Sequence, residues 1–398
     1  MWFFHHLVIK SLPSGLQIDY VLKILFNIFS VKKKIPMKIN ADFAIAVMAG
    51  DGVGNEIMPG CLDLLDKVAK KVGGFSLSLT EAPAGAALYL DNGNAYPETS
   101  KEIARNADAI LLGAMGLPDV RYEDGTEITP QLDLRFDLDL YAGMRPVRAV
   151  PGVPLPLSDP RAATMDFVLI RESTEGLFAS HGKGTVENDS IAKDTLVITR
   201  DVCEKTFDFS FKLTQQRKAA GSKGDLVCVD KANIFASYAF FRKVFDERAA
   251  KFPEITTQRI YVDAMAMNML CRPWEYDVMV MENMFGDILS DLGAGLMGGL
   301  GYAPSADIGN DHAVFQPCHG SAPDIAGQGI VNPTAMILSA AMMLDWLGEK
   351  HDVPAASEGG VLLRKAVDRA FVNGDLITCE LGGKARMTDV YDAVAAQI

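Results

Sequence analysis

Short apolar runs that alternate with helical stretches constrain the fold of this chain more than any other feature. The first run, Ala44 to Met48, passes through a glycine-rich turn into a stretch from Glu56 to Val72 whose apolar residues recur at helical spacing. Four later runs have the same short, apolar character: 109–113, 167–170, 226–229 and 278–281. Strands buried on both faces have such continuous apolar sequences, and their alternation with helices predicts an α/β protein with a largely parallel sheet.

Composition excludes several classes of protein. The chain has 398 residues, of which 49% are apolar and 22% charged, as in ordinary globular proteins. Its net charge of −13 disfavours nucleic acid and anionic membrane as partners. The six cysteines lie far apart, without zinc-ligand spacing, which favours small buried side chains in a reduced cytoplasm over a disulfide framework.

The first 36 residues differ from the rest of the chain. They contain five lysines and one acidic residue, a local charge of +4. Their apolar runs are interrupted by Lys23 and Asn27 and are shorter than the roughly 20 residues that a spanning helix needs. We interpret 1–36 as an appended segment and favour a true start at Met37; a helix on a membrane surface is the alternative.

The glycine-rich turn Gly50-Asp51-Gly52-Val53-Gly54-Asn55 is similar to a dinucleotide-binding fingerprint, but Asn55 stands where the third glycine belongs. A tight turn from strand to helix accounts for these glycines without any ligand. By itself, the turn therefore does not predict a nucleotide site.

Two carboxylates, Asp287 and Asp291, lie one helical turn apart on the same predicted face. Like charges at this spacing repel each other. Either a cation bound between the two carboxylates or a fully solvated acidic face would relieve this repulsion. Oxygen ligands alone favour Mg²⁺ or Mn²⁺ over zinc. Lys231, which follows the run 226–229, could act as a base if a metal beside it lowered its pKa.

Four arginines lie at or near predicted strand and loop ends. An arginine fork matches a carboxylate with two parallel hydrogen bonds, so three of these side chains converging would bind a di- or tricarboxylate. The alternative is that each one pairs with a surface acid. The four are Arg135, Arg145, Arg148 and Arg171.

A loop rich in small residues, from His319 to Gly327, could let the backbone approach a cofactor closely. In it, Asp324 could accept both hydroxyls of a ribose and would repel a 2′-phosphate, which favours NAD over NADP. The alternative is an ordinary helix-capping loop in which His319 is a structural hydrogen-bonding residue.

Together these segments resemble the β-decarboxylating dehydrogenases, the family of isocitrate, isopropylmalate, homoisocitrate and tartrate/D-malate dehydrogenases. The resemblance covers about residues 38–398 and rests on long motifs: GDGVGNE, RESTEG, VDKAN, YVDAMAM, NMFGDILSDL and HGSAPDIAGQGIVNPTA. It implies two α/β domains with a mixed, largely parallel sheet that is not a true Rossmann domain. The larger NAD-binding domain would comprise 37–140 and 296–398, and a smaller dimerisation domain 141–295.

The resemblance also implies a role for each matched residue. Lys231 would be the base and Asp263 a third metal ligand, both donated across a homodimer with shared active sites. The other positions are Arg135, Arg145 and Arg171 for the substrate carboxylates, Thr129, Gln131 and Phe178 for the rest of the substrate, Asp287 and Asp291 for Mg²⁺ or Mn²⁺, and His319, Gly320, Ser321, Ala322, Asp324 and Asn332 for NAD.

The implied reaction is NAD-dependent oxidative decarboxylation of a 3-substituted malate of the 3-isopropylmalate type to a 2-keto acid, CO₂ and NADH. Isopropylmalate enzymes tend to have leucines before the first arginine, whereas Thr129 and Gln131 are polar. Isocitrate, tartrate and D-malate therefore remain alternative substrates.

Phe178 departs from the family pattern, because the family has there the tyrosine that protonates the enolate. Phenylalanine has no proton to donate. The alternatives to a working decarboxylase are a catalytically silent regulatory subunit and a dehydrogenase that does not decarboxylate. Since the metal and lysine positions are intact, we favour a working enzyme.

Overall fold

The computed structural model describes residues 41–123 and 125–398. Residues 41–398 form one compact unit. The interpretation of 1–36 as an appended segment lies outside the described residues, and the division of the remainder into two domains stays a prediction.

Eleven α-helices and twelve strands make up the regular structure of the described residues. The strands are β1 (Ala41–Gly50), β2 (Phe75–Glu81), β3 (Ala109–Ala114), β4 (Ala142–Arg148), β5 (Asp166–Glu172), β6 (Thr185–Glu187), β7 (Ile191–Lys193), β8 (Asp225–Asp230), β9 (Thr256–Tyr261), β10 (Val278–Met281), β11 (Pro304–Ile308) and β12 (Ala313–Pro317). The helices are α1 (Val53–Val72), α2 (Ala86–Asn92), α3 (Glu98–Asn106), α4 (Pro130–Asp137), α5 (Arg200–Ala219), α6 (Ala236–Ala249), α7 (Val262–Cys271), α8 (Asn283–Met297), α9 (Thr334–Lys350), α10 (Pro354–Phe371) and α11 (Met387–Ala395).

Ten strands form one sheet in the order β2-β1-β3-β12-β11-β4-β5-β10-β8-β9. The strands at both ends of this order are parallel to their neighbours, whereas β11 and β4 in the middle run antiparallel to each other and to the flanking strands. The prediction of a mixed, largely parallel sheet is therefore confirmed. β6 and β7 form a separate two-stranded hairpin.

All five predicted apolar runs are strands of the large sheet, namely β1, β3, β5, β8 and β10. Every residue of β3, β8 and β10 is buried, because helices cover the sheet. α1, α9 and α10 pack on the side of β3 and β12, and α5 and α6 pack on β8 and β10. α8 lies against β4 and β5, which brings its acidic residues to the middle of the sheet.

All six cysteines are free thiols. Cys61, Cys203 and Cys228 are buried as expected, whereas Cys271 is exposed. No helix within 41–123 and 125–398 is long and apolar enough to cross a membrane.

Candidate active site

A cavity of about 160 Å³ lies at the middle of the sheet, where β3, β4, β5, β11 and β12 contribute to its wall together with α4 and α8. A larger cavity of about 670 Å³ between α1 and α2 is lined mostly by apolar side chains and contains none of the predicted site residues. The smaller one brings together eight predicted site residues: Gln131, Arg135, Arg145, Arg171, Asp287, Asp291, His319 and Gly320.

Asp307 on β11 holds two of the three arginines in place. Its Oδ2 accepts from Nε of Arg135 and its Oδ1 from Nη2 of Arg145, each at 3.0 Å, and Gln316 Nε2 donates to Oδ2 at 2.9 Å. Burial raises the pKa of Asp307, but the two guanidinium charges outweigh it and hold the pKa at about 2. Sequence reasoning missed Asp307; the available signal was an acid within the buried run Pro304–Ile308.

Arg171, at the end of β5, faces the aspartates of α8. Its Nε donates to Asn283 Oδ1 at 2.8 Å, and its Nη1 contacts Asp287 Oδ1. Burial, together with the positive charges of Arg135 and Arg145, lowers the pKa of Arg171 to about 10, although the charge of Asp287 acts in the opposite direction. Guanidinium groups that destabilise one another in this way form a binding site for carboxylates.

Arg148 does not join the other three arginines. It lies three residues after Arg145 on β4, so its side chain is on the opposite face of the strand. There it pairs with Asp368 of α10 at 2.7 Å. Of the four arginines considered in the sequence, three therefore converge, and the fourth forms the ordinary ion pair that was the alternative.

Asp287 and Asp291 lie on the cavity side of α8, as their spacing predicted. Burial raises the pKa of Asp291, and the negative charge of Asp287 raises it further. A cation between the two carboxylates would relieve both effects, and an all-oxygen donor set fits Mg²⁺ or Mn²⁺. No group of three metal-ligating side chains occurs within the described residues.

Lys231 and Asp263 lie outside the lining of this cavity. Lys231 directly follows β8, and its Nζ pairs with Asp263 Oδ1 in the first turn of α7 at 2.6 Å. The hydrogen bond from Lys231 lowers the pKa of Asp263. One chain therefore does not bring these two residues to the arginines and to the aspartates of α8.

Exposed apolar side chains lie on α7 and α8. Met267 and Leu270 of α7 are 59% and 50% exposed, and Ile288 of α8 is 61% exposed. α7 and α8 contact each other, so these side chains belong to one region of the surface. A contiguous apolar patch at this position would be a candidate interaction site.

The predicted cofactor loop begins in the cavity wall with His319. Nδ1 of His319 is 2.9 Å from the carbonyl oxygen of Gly320, whereas Nε2 is buried without a hydrogen-bond partner. Burial lowers the pKa of His319, so its ring is neutral at pH 7. A buried ring nitrogen without a partner fits the polar part of a bound cofactor.

The glycine-rich turn supports this loop through close backbone contact. Val53 N–H donates to the carbonyl oxygen of Ser321 at 2.8 Å, and Ser321 Oγ donates to the carbonyl oxygen of Gly116. Gly52 has φ +52°, and a Cβ there would lie 2.1 Å from the Ser321 oxygen. The turn therefore needs glycine for tight packing against the loop. This agrees with the interpretation that a tight turn accounts for the glycines without any ligand.

The other predicted cofactor residues lie outside the cavity wall. Asp324 is exposed, and Ala322 has a positive φ of 37°. Asn332 is buried and engaged at both ends: Nδ2 donates to Glu380 Oε1 at 2.6 Å, and Oδ1 accepts from the N–H of Thr334 at 3.1 Å. Asn332 thus caps the start of α9, and its contact with NAD stays a prediction.

Two predicted substrate residues also lie outside the cavity lining. Phe178 is in a short 3₁₀ turn, Leu177–Ser180, with its ring centroid 5.0 Å from Cζ of Arg171. It lines an adjacent depression of about 460 Å³. Thr129 precedes α4 and is half-buried.

Asp51 is a second buried aspartate that sequence reasoning did not single out. Its carboxylate accepts three backbone N–H groups at 2.8 Å each, from Ala86 and Ala87 at the start of α2 and from Gly116 after β3. It therefore fixes the segment after β3 that forms one wall of the cavity. An acid between two glycines of a tight turn was the available signal.

Sequence and structure comparisons agree on the family. The family model "Isocitrate/isopropylmalate dehydrogenase" matches residues 44–394. A 3-isopropylmalate/3-methylmalate dehydrogenase of Methanocaldococcus jannaschii is 39% identical over 89% of this chain and 98% of its own length. A 3-isopropylmalate dehydrogenase of Streptococcus thermophilus is 39% identical over 89% of this chain and 99% of its own length.

Solved structures are similar over the same part of the chain. An isocitrate dehydrogenase from Methylococcus capsulatus superposes with a TM-score of 0.78 at 31% identity, covering 89% of this chain and 99% of its own. A β-decarboxylating dehydrogenase from Thermococcus kodakarensis gives a TM-score of 0.72 at 34% identity, covering 89% of this chain and 96% of its own. With the family model matched over most of its length, the chain belongs to the isocitrate/isopropylmalate dehydrogenase family.

Proposed function

We propose that this protein is an NAD- and divalent-metal-dependent dehydrogenase that oxidises and decarboxylates a 3-substituted malate to a 2-keto acid, CO₂ and NADH. The observation that carries the proposal is the convergence of three arginines and two aspartates on one cavity. Relatives at 39% identity are named for 3-isopropylmalate, which makes that compound the first substrate to test. Isocitrate, tartrate and D-malate are the alternatives within the same reaction class.

Arg135, Arg145 and Arg171 bind the two carboxylates of the substrate and thereby orient its C2 hydroxyl. Asp287 and Asp291 would hold Mg²⁺ or Mn²⁺ together with Asp263 of the partner subunit. When bound, the cation stabilises negative charge on the substrate oxygens, and NAD⁺ accepts the hydride from C2.

Lys231 of the partner subunit removes the proton of the C2 hydroxyl, as a base within reach of the substrate. Arg135, Arg145 and Arg171 are themselves buried, which strengthens their contacts with a bound carboxylate. Cys318 also lines the cavity, but burial raises the pKa of its thiol to about 11, so it remains protonated at pH 7 and supplies no nucleophile.

A homodimer with shared active sites is part of the proposal. Its support is that Lys231 and Asp263 lie apart from the cavity in one chain, near the exposed apolar side chains of α7 and α8. A second copy that covers this surface would bury it and could carry its own lysine and aspartate to the neighbouring cavity.

NADH formation with a substrate panel tests the reaction class. We expect the purified protein with Mg²⁺ or Mn²⁺ and NAD⁺ to form NADH and CO₂ with at least one of isopropylmalate, isocitrate, D-malate and tartrate. EDTA should abolish NADH formation, and added Mg²⁺ should restore it. The reason is that the cation stabilises negative charge on the substrate oxygens, which the two aspartates cannot do. NADH formation that is unaffected by the chelator would contradict the proposal, as would its absence with all four substrates.

Phe178 supports a second candidate, a catalytically silent subunit, because its ring lies against Arg171 and has no proton to deliver. On this alternative the wild type binds substrate without turnover, and Phe178→Tyr creates activity. We expect instead that the wild type turns over and that Phe178→Tyr speeds CO₂ release relative to NADH formation. Measuring NADH and CO₂ in the same sample tests this expectation. Phe136→Tyr, which changes an exposed ring, is the control. NADH without CO₂ from the wild type would indicate oxidation alone.

A further inference from the structure

The larger cavity, of about 670 Å³, lies between α1 and α2 at the edge of the sheet that β2 forms. Residues near the ends of β1 and β2 line it on one side, together with Met58 and Leu62 of α1 and Leu88 of α2. None of these residues lines the active-site cavity. Sites for small organic molecules are clefts of about 300–1,000 Å³ with mainly apolar walls. This cavity therefore has the size and the lining of such a site.

The charged side chains of this lining are two exposed acids, Glu81 at the end of β2 and Asp91 of α2. Neither carboxylate has an ion pair or a hydrogen bond to another side chain in the part of the chain that the structure describes. Within that part, the lining has no lysine, arginine or histidine. The cavity therefore repels anions and attracts cations, and the net charge of −13 reinforces this preference.

The glycine-rich turn beside the cavity has no open phosphate site. The N-terminus of a helix after such a turn often binds phosphate, because its first N–H groups are free. Here the N–H of Val53 donates to the carbonyl oxygen of Ser321 at 2.8 Å, and those of Gly54 and Asn55 donate to carbonyl oxygens within the turn. A nucleotide, with its negative phosphates, therefore does not match this cavity.

Asp51 connects the wall of this cavity to the wall of the active-site cavity. Its Oδ1 accepts from the N–H of Ala87, which lines the larger cavity, and its Oδ2 accepts from the N–H of Gly116, each at 2.8 Å. Gly116 directly follows Met115, which lines the active-site cavity. Asp51 is buried, so water does not compete for these hydrogen bonds. A ligand that holds α2 in place therefore also restrains the segment after β3.

We propose that the larger cavity is a second ligand site, which takes a small organic cation with an apolar body and an ammonium group. The apolar body packs between α1 and α2, and the ammonium group lies near Glu81 and Asp91. Through Asp51, the bound cation restrains the wall of the active-site cavity. This inference goes beyond the proposed function and does not depend on it, because the two cavities share no lining residue.

Calorimetric titration with three indole probes tests the class of ligand. Tryptamine, tryptophol and indole-3-propionate have an ammonium, a hydroxyl and a carboxylate group on the same ethyl chain. We expect tryptamine to bind at least ~10-fold more tightly than indole-3-propionate, with tryptophol between them, because the two acids attract one charge and repel the other. The difference should shrink as salt is added, since both acids are exposed. Equal affinities, or no binding of tryptamine, would overturn the proposal.

Variants that fill the cavity locate the probe. Ala87→Trp should weaken tryptamine binding by ~10-fold or more, because the added ring occupies the space between α1 and α2. Leu79→Trp, on the edge strand β2, serves the same purpose if the first variant folds poorly. The matched control is Leu90→Trp, which adds the same ring at an exposed position of α2 outside the lining and should leave the affinity unchanged. An equal loss in the control would overturn the assignment of the site.

Removal of the two acids tests the source of the charge preference. The double variant Glu81→Gln, Asp91→Asn should bind tryptamine and tryptophol with affinities within ~3-fold of each other, because the attraction for the ammonium group is gone. The control Glu358→Gln removes an exposed acid of α10 outside the lining and should leave the preference for tryptamine intact. A preference that survives in the double variant would contradict the role of Glu81 and Asp91.

Hydrogen exchange of the Gly116 amide tests the connection through Asp51. In the wild type, tryptamine at ten times its Kd should slow this exchange by about 10-fold, because opening of the hydrogen bond then requires release of the ligand. In Ala87→Trp the same concentration should have no effect. An unchanged rate in the wild type would overturn the connection to the active-site wall. None of these measurements needs turnover, so an inactive enzyme that binds tryptamine in this way would support the inference and contradict only the proposed function.

Discussion

Asp307→Ala is expected to lower the free energy of unfolding by about 3–5 kcal/mol, the range for breaking a buried ion pair by removing one partner. Asp307 is 1% exposed and is the shared counter-charge of Arg135 and Arg145. Without it, two buried guanidinium groups and the Gln316 amide lose their acceptor at the same time. Denaturant unfolding at pH 7 measures the change.

The control for this experiment is Asp368→Ala, which removes the partly exposed pair with Arg148. It should cost no more than about 1 kcal/mol, because solvent screens such pairs. Equal losses in the two variants would show that burial of the arginine cluster does not set the energy of the Asp307 contacts.

The pH dependence of stability provides a second measurement on Asp307. Its pKa falls from 3.8 to about 2 on folding, because Arg135 and Arg145 favour the charged form. A depressed pKa contributes stability above pH 4 that is lost as the pH falls from about 4 to 2. The Asp307→Asn variant should lack this part of the acid-induced loss.

Mixed dimers of two inactive variants should recover activity if the active sites are shared. Lys231→Ala should lower kcat/KM by about 10²–10⁴-fold through loss of the base, and Asp287→Asn should remove a metal ligand. When the two variants reassociate at random in equal amounts, half of the dimers are mixed, and each has one intact site. The mixture should therefore regain about one quarter of the wild-type activity, as two-fold symmetry requires.

The matched control mixes Lys231→Ala with Asp263→Asn. Both residues belong to the side of the site donated by the partner subunit, so each site of the mixed dimer lacks one of them, and activity should not return. A site formed within one chain would give no recovery in either mixture. Recovery in the control would contradict the assignment of Lys231 and Asp263 to the same side.

Local patterns in the sequence carried much of the fold. The apolar runs that became β1, β3, β5, β8 and β10 are too short for helices and lie between helical stretches, so their conformation follows from nearby residues. The spacing of Asp287 and Asp291 likewise placed both on one face of α8, because four residues make about one helical turn.

Contacts between distant parts of the chain were not visible in these patterns. Asp307 lies more than 150 residues from Arg135 and Arg145, and the pairing depends on β11 lying antiparallel to β4 in the middle of the sheet. Asp51 reaches Gly116 only because β1 and β3 are neighbours.

The sequence by itself determined five of the twelve strands of the described residues, the shared helix face of Asp287 and Asp291, the family and eight of the fifteen residues that line the cavity, because periodicity and motifs are local properties. The tertiary structure decided which charges meet: it separated Arg148 from Arg145, gave Asp307 two guanidinium partners and left Gln131 Oε1 without a donor. It also left Lys231 and Asp263 apart from the cavity of their own chain. Burial and electrostatic pairing depend on distances across the fold, which residue spacing along the chain does not set.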